Sequence, residues 1–248
     1  GYSEIGIAKL IQIYDQNINK SLLINKKLEL KYIDVVITEK CSMKCKDCAN
    51  LMQYYQKPID SELSTLLNSL DKIMNAVDKV HEFRVLGGEP FVNKNIHIII
   101  DKLLTYNNAE YITIYTNATI IPKRENLKCL RNKKIKLDIT NYGDLSRNYS
   151  ELIRVCNEEE ILYTVNKPDK WTDSGTINYQ KKTDKQLKWM FSNCCVNDYI
   201  TLLNGKLYRC PFSANATNIH AIPYVENEVI DINSVEKNTL DLRNEITK

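Results

Sequence analysis

The octapeptide Cys41-Ser42-Met43-Lys44-Cys45-Lys46-Asp47-Cys48 constrains this chain more than any other stretch, because it sets three thiols at Cys-x3-Cys-x2-Cys spacing directly behind an apolar run. That run, residues 31–38, has the β-branched density of a buried parallel strand. The thiols therefore fall on the loop leaving the strand's C-terminal end, the side on which open α/β sheets and barrels bind ligands.

Three clustered thiolates suit a soft metal, and an iron–sulfur cluster is the expected partner where no fourth ligand lies nearby. Structural zinc is the alternative, but it takes four tetrahedral ligands and is more often announced by paired Cys-x2-Cys units. Lys40, Lys44 and Lys46 interleave the cysteines. As cationic neighbours they are expected to lower the thiol pKa values and offset negative charge.

The spacing resembles the signature of the radical S-adenosylmethionine (SAM) superfamily. A second family element, Gly87-Gly88-Glu89-Pro90, follows the apolar stretch 83–86. The resemblance implies a [4Fe–4S] cluster on Cys41, Cys45 and Cys48, SAM on the fourth iron, and Gly87, Gly88, Glu89 and Pro90 against the SAM amino group. Physically, glycines let backbone approach a ligand closely, and Pro90 stops the strand so that main-chain acceptors are left for an ammonium. Without the cysteines the tetrapeptide is simply a turn. Asp47 departs from the aromatic residue that many relatives carry before the third cysteine.

The 248 residues are 43% hydrophobic and 26% charged, ample to bury a core. With 34 basic and 31 acidic side chains the formal charge is +3, which calls for neither nucleic acid nor an acidic membrane as partner. No stretch has the length of a membrane span, and the N-terminal residues lack the layout of a signal peptide. Eight cysteines in that setting read as metal-binding thiols in a reducing cytoplasm. The chain opens on Gly1 without a methionine, as a trimmed sequence would.

Residues 1–30 read as a helical segment, with Ile5, Ile7, Leu10, Ile11 and Ile13 on one face. Residues 31–192 read as the radical SAM unit. A helix capped by Asp60 or Ser61 buries Leu63, Leu66, Leu67, Leu70, Ile73 and Met74. Strands at 83–86, 111–115, 135–139 and 161–165 alternate with helices at 96–104, 124–130 and 145–158, the pattern of parallel βα units. The fold class is thus α/β, and the family implies a partial (βα)6 TIM-like barrel. The sixth strand is not placed by pattern.

Strand ends collect polar residues. Thr116-Asn117 resembles the Thr-Asn-Gly stretch that contributes to the SAM pocket in relatives, with Ala118 in place of the glycine. Asn141 holds the position where the family presents a polar residue to the SAM ribose, and Asn166 ends the fifth strand. Asn and Thr donate and accept, as ribose hydroxyls require, although both also favour turns.

Residues 193–248 form the third unit, a cysteine hairpin and a C-terminal helix at 235–246. Asn204-Gly205 is a strong two-residue hairpin signal that pairs Leu203 with Lys206. It carries Cys210 back towards Cys194 and Cys195. The pattern is similar to the opening of the SPASM and twitch extensions, which implies an auxiliary iron–sulfur cluster on Cys194, Cys195 and Cys210. Its remaining ligand is an open iron, Cys129 or Cys156, or a residue beyond this sequence. The alternative is a hairpin with small buried thiols. Cys129 and Cys156 lie in helical patterns and read as core.

The resemblance implies a radical SAM enzyme fed by an electron donor such as flavodoxin or ferredoxin. It abstracts hydrogen from a small-molecule, possibly carbohydrate, substrate, and an auxiliary cluster assists a net oxidation. Tyr142, Trp171, Asp173 and Arg209 are candidates for lining the substrate pocket. A SPASM-type peptide-modifying maturase and a non-catalytic zinc module are the competing readings, and the second has no use for Gly87 to Pro90.

Overall fold

β-Branched and aliphatic residues at alternate positions build a single twisted sheet, and the computed structural model describes it over residues 27–168, 176–197, 199–234 and 238–247. The helix expected in residues 1–30 falls almost wholly outside those residues, as do Trp171 and Asp173. The strands are β1 (Glu29–Thr38), β2 (Lys79–Gly87), β3 (Ala109–Thr116), β4 (Ile135–Thr140), β5 (Tyr163–Asn166), β6 (Tyr199–Leu203), β7 (Lys206–Tyr208) and β8 (Ile230–Asp231). They lie in the order β5-β4-β3-β2-β1-β6-β7-β8.

Strands β1 to β5 pair in parallel, as their alternation with helices requires. The helices are α1 (Leu63–Ala76), α2 (Ile96–Leu104), α3 (Arg124–Leu130), α4 (Tyr149–Glu158), α5 (Asp184–Ser192), α6 (Pro211–Asn218) and α7 (Thr239–Thr247). The five expected strands are present, each within two residues of its expected end at the chemistry-bearing C-terminal side. The sixth strand is not beside β5. It is β6, parallel to β1 at the opposite flank, so the sheet is open among the described residues.

One face of the sheet carries Ile33, Val35, Ile37, Phe83, Val85, Ile112, Ile114, Leu137 and Ile139, packed under α1 to α4. Leu70, Ile73, Ile99 and Ile100 come down from the helices and are essentially inaccessible. Each such side chain contributes roughly 1.5–3 kcal/mol by leaving water. Cys129 and Cys156 are buried in this layer, as helical periodicity predicts. The opposite, concave face is mixed. Val36, Leu86, Leu203 and Tyr208 form a small apolar cluster there under Ala214 of α6.

Helix α1 starts differently from expectation. Its cap is Glu62, whose carboxylate accepts from the N–H groups of Ser64 and Thr65. Asp60 is instead engaged with β1, accepting from Thr38 Oγ1 at 2.7 Å and pairing with Lys40 at 2.7 Å, while Ser61 donates to the Val36 carbonyl. The Asn204-Gly205 hairpin is as read. Leu203 pairs with Lys206, and both turn residues have positive φ, 50° and 76°. Its strands extend the same sheet that holds β1. The C-terminal helix is described from Thr239, and residues 235–237 lie outside the described set.

Candidate active site

The loop leaving β1 and the turn leaving β2 are stitched together by backbone. Gly88 N–H donates to the Thr38 carbonyl and Glu89 N–H to the Lys40 carbonyl, both at 2.9 Å, which continues the β1–β2 ladder into the cysteine loop. The two glycines are what permit it. A Cβ on Gly87 would overlap the Thr38 carbonyl oxygen, and one on Gly88 would overlap the Lys40 carbonyl oxygen and sit 2.8 Å from Cys41 Cβ. The close approach expected of these glycines is therefore made to the cysteine loop itself. Asn50 Nδ2 donates to the Gly87 carbonyl at 2.8 Å, so that acceptor is already engaged.

Glu89 is fully buried and serves the protein frame. Its carboxylate accepts from Phe91 N–H at 3.3 Å, Thr116 Oγ1 at 2.8 Å and Asn117 N–H at 2.8 Å. Burial pushes its pKa up to about 7 against the pull of those donors. The side chain thus ties the end of β2 to the end of β3. Asn117 in turn reaches the cysteine loop, with Nδ2 donating to Ser42 Oγ at 3.2 Å and lying 3.8 Å from Cys41 Sγ. Thr119 bonds Ser42 and donates to Asn117 Oδ1. Ala118 keeps a left-handed φ of 56° and is fully buried. Burying its methyl, worth about 0.8 kcal/mol, offsets much of the roughly 1–2 kcal/mol cost of that conformation.

Asn141 and Asn166 meet at the next strand ends. Asn141 N–H donates to the Asn166 carbonyl, and Asn141 Oδ1 accepts from Gly143 N–H in a turn of its own making. Ser146, which the sequence reading did not single out, joins the strand ends by donating to the Asn117 and Thr140 carbonyls. Tyr142 lies within electrostatic reach of all three cysteines. Burial first, then the charges of Cys45, Cys48 and Cys41, push its phenol up to about 12. Arg209 is exposed on the hairpin.

The thiols feel one another. Burial pushes Cys41 up to about 11, with Glu89, Cys48 and Cys45 adding to the rise, and burial and Cys48 raise Cys45. The interleaved lysines do not lower these values as expected, because Lys44 and Lys46 are exposed and Lys40 is committed to Asp60. Three partly buried thiols crowding one another fit a group that brings its own positive charge. No three His, Cys, Asp or Glu side chains among the described residues converge on a single-ion site.

The second cysteine group is looser. Cys210 caps α6, its Sγ accepting from Ser213 N–H at 3.3 Å with Pro211 at the first helical position. Cys194 is half-buried and Cys195 exposed. Helix α6 returns to the first group: Tyr55, whose phenol is raised mainly by burial and also by Cys48, donates to Asn215 Oδ1 at 2.8 Å. Asn218 Nδ2 donates to Tyr55 Oη and to Glu39 Oε1.

Comparison with known proteins places this geometry. The sequence model of the Radical SAM superfamily matches residues 35–167. Two curated GTP 3',8-cyclases of Helicobacter pylori are similar at 31% identity. In strain HPAG1 the match covers 82% of this chain and 62% of the relative, and in strain ATCC 700392 / 26695 it covers 49% and 34%. The chain thus spans between about a third and two thirds of these relatives' lengths. Among solved structures, BtrN in complex with AdoMet and 2-DOIA superposes with a TM-score of 0.51 at 17% identity, covering 77% of each chain, a likeness of fold. No helix among the described residues is long and apolar enough to cross a membrane.

Proposed function

The chain belongs to the radical SAM superfamily, and from that premise we propose that it abstracts hydrogen from a small, hydroxylated molecule, with Cys41, Cys45 and Cys48 holding its cluster. The cofactors of such an enzyme are a [4Fe–4S] cluster and SAM. When bound to Cys41, Cys45 and Cys48, the cluster would supply one-electron reductive cleavage of SAM, the chemistry that removes a substrate hydrogen atom.

The observation that carries the reading is the locking of the cysteine loop to the Gly87-Gly88 turn by the Gly88 and Glu89 N–H groups. In this reading Gly87, Gly88, Glu89 and Pro90 form one wall of the SAM pocket, with Glu89 acting through Thr116 and Asn117 as a positioning residue. Asn117 and Asn141 offer donors and acceptors to the rest of SAM, and half-buried Tyr142 closes the cysteine side against water. Cys194, Cys195 and Cys210 are the residues that would hold an auxiliary cluster, and such a group would supply an acceptor for the second electron of a net oxidation. A flavodoxin or ferredoxin supplies the first electron, and the cytoplasm is the compartment that keeps these thiols reduced.

The substrate class rests on the relatives, whose name denotes action on a nucleotide rather than a peptide. That name also favours a second reading, in which the substrate radical rearranges and closes a ring without net oxidation.

Iron and sulfide content after anaerobic reconstitution tests the assignment, together with deoxyadenosine release on adding SAM and dithionite. We expect about eight irons in the intact protein and about four in Cys41→Ala/Cys45→Ala/Cys48→Ala, with deoxyadenosine lost only in the variant. Iron absent from both proteins, or zinc in its place with no SAM cleavage, overturns it.

A further inference from the structure

At the end of the sheet away from the cysteine loop, where the strands begin, the concave face opens into a cavity of about 310 Å³. Alternation along the strands puts Glu82 of β2, Tyr111 and Thr113 of β3 and Lys136 of β4 on that face, because their neighbours Phe83, Ile112, Ile114 and Leu137 point into the helical layer. Lys133 and Lys134, in the turn before β4, and Leu162, just before β5, add to its wall.

The charges in this wall do not cancel. Three ammonium groups face the single carboxylate of Glu82, which pairs with none of them. Lys134 donates to the Ala109 carbonyl at 3.0 Å, a contact that leaves its charge unneutralised. The side chains of exposed Lys133 and half-buried Lys136 make no ion pair or hydrogen bond among the described residues. Arg84, in register with Thr113, adds no further charge, because it is paired at 3.4 Å with buried Asp34. Thr113 is only 2% exposed, and its hydroxyl has no partner among the described residues. It is not one of the sealed orphan atoms of the core, so the cavity it lines is what reaches it. Folded proteins leave few buried hydroxyls in that condition.

Crowded lysines repel one another, and an anion set among them turns repulsion into attraction. A group that meets several ammonium donors and the Thr113 hydroxyl together needs acceptor oxygens pointing in different directions, as a tetrahedral oxyanion has. Glu82 accepts from a hydroxyl of the same molecule, and exposed Tyr111 and Leu162 give its carbon skeleton an apolar rim. We propose that this cavity binds an organic phosphate, its phosphate group held by Lys133, Lys134, Lys136 and Thr113. Five residues of β4 and its exit separate Lys136 from Asn141, about 16 Å at the usual rise. The phosphate is therefore either the far end of an extended substrate or part of a second, freely bound molecule, and the chemistry that recognises it is the same. The site itself does not depend on the reading of the chain as a SAM enzyme.

Calorimetric titration at constant ionic strength tests it, with pyrophosphate, glycerol 3-phosphate, guanosine 5′-triphosphate, glycerol and acetate as probes. The proteins are the anaerobically reconstituted wild type, Lys136→Gln, Thr113→Val and Lys188→Gln, the last removing an exposed charge from helix α5. We expect at least one phosphate probe to bind saturably while glycerol and acetate do not. Lys136→Gln and Thr113→Val then each weaken that binding by about tenfold, the loss expected on removing one hydrogen bond to a charged group, and Lys188→Gln binds as wild type does. Thr113→Val unfolds at the wild-type temperature, since its hydroxyl has no bond to lose, so weaker binding there is not a folding defect. Binding of no phosphate probe, equal binding of acetate, wild-type affinity in Lys136→Gln or Thr113→Val, or an equal loss in Lys188→Gln overturns the proposal. Deoxyadenosine release separates the two sources. A probe that speeds release, with KM raised and kcat unchanged in Lys136→Gln, is a substrate phosphate, whereas one that binds and leaves release unchanged is a separate molecule. Absence of release with probe binding intact sinks the catalytic reading and leaves this site standing.

Discussion

Tyr55, seven residues past Cys48, donates to Asn215 Oδ1 of helix α6 at 2.8 Å, and Asn218 of the same helix donates back to Tyr55 Oη and to Glu39. Four side chains from the end of β1, the cysteine loop and helix α6 thus close one largely buried polar network. The helix that Cys210 caps is thereby anchored to the loop that holds Cys48.

Tyr55→Phe keeps the ring and leaves Asn215 Oδ1 buried without its donor. A lost partner at a buried acceptor costs roughly 1–3 kcal/mol. Urea unfolding of the variant is expected to fall by that amount. The iron held by Cys41, Cys45 and Cys48 should also exchange faster with a chelator than in wild type. Unchanged exchange would mean that the helix does not brace the loop.

Gly88→Ala tests the seam between β1 and β2. The added Cβ has nowhere to go except into the Lys40 carbonyl and Cys41 Cβ. Overpacking against backbone costs typically about 1–3 kcal/mol, and here it pries open the Glu89 to Lys40 hydrogen bond. The variant should melt lower and retain little iron after reconstitution. Gly143→Ala is the control. Its φ is 64° with nothing within 4 Å of the added Cβ, so only the left-handed strain of about 1 kcal/mol applies, and iron content should stay at wild-type level.

The elements that the sequence made legible are those whose cause is local. Alternating β-branched residues placed β1 to β5, helical spacing placed Leu66, Leu70 and Ile73 in the core, and Asn204-Gly205 set the hairpin register to the residue. The cysteine and glycine motifs located the site because each is a contiguous stretch. What stayed hidden depends on partners far apart in the chain. Tyr55 and Asn215 are separated by 160 positions, and β6 pairs directly with β1 although the two strands lie far apart in the sequence. The Glu62 cap was missed because Asp60 and Ser61 are the more usual capping types, and only the tertiary fold draws both toward β1. Asp34 did carry a signal, a charge inside an otherwise apolar run.

Glu89→Gln separates charge from shape at the β2–β3 junction. Glutamine can keep one oxygen against Thr116 and Phe91, but its amide nitrogen then faces Asn117 N–H, donor against donor. A loss of about 1–3 kcal/mol in stability is expected. SAM affinity should weaken with it, because Asn117 is carried on that bond. The measurement is equilibrium binding of SAM to the reconstituted variant. Wild-type affinity would show that Glu89 holds the fold without setting the pocket.

Asp34 gives the chain a pH dependence of defined sign. Burial raises its pKa from 3.8 to about 6 even with Arg84 pulling the other way and Glu82 adding to the rise. The folded chain therefore binds this proton more tightly than the unfolded chain. The stabilisation is fully present below about pH 4 and is lost as pH climbs through about 6. At 1.36 kcal/mol per unit, the difference across that window is roughly 3 kcal/mol. Carboxylates such as Asp71, held low by Lys102, drive the opposite trend, so the readout is the difference between two proteins rather than one curve. Urea unfolding of the cluster-free wild type and Asp34→Asn at half-unit steps from pH 4 to 7 should diverge steadily. Wild type loses stability relative to the variant, which has no proton to release. Parallel curves would mean that the Asp34 carboxylate is better solvated or better paired than its burial beside Arg84 implies.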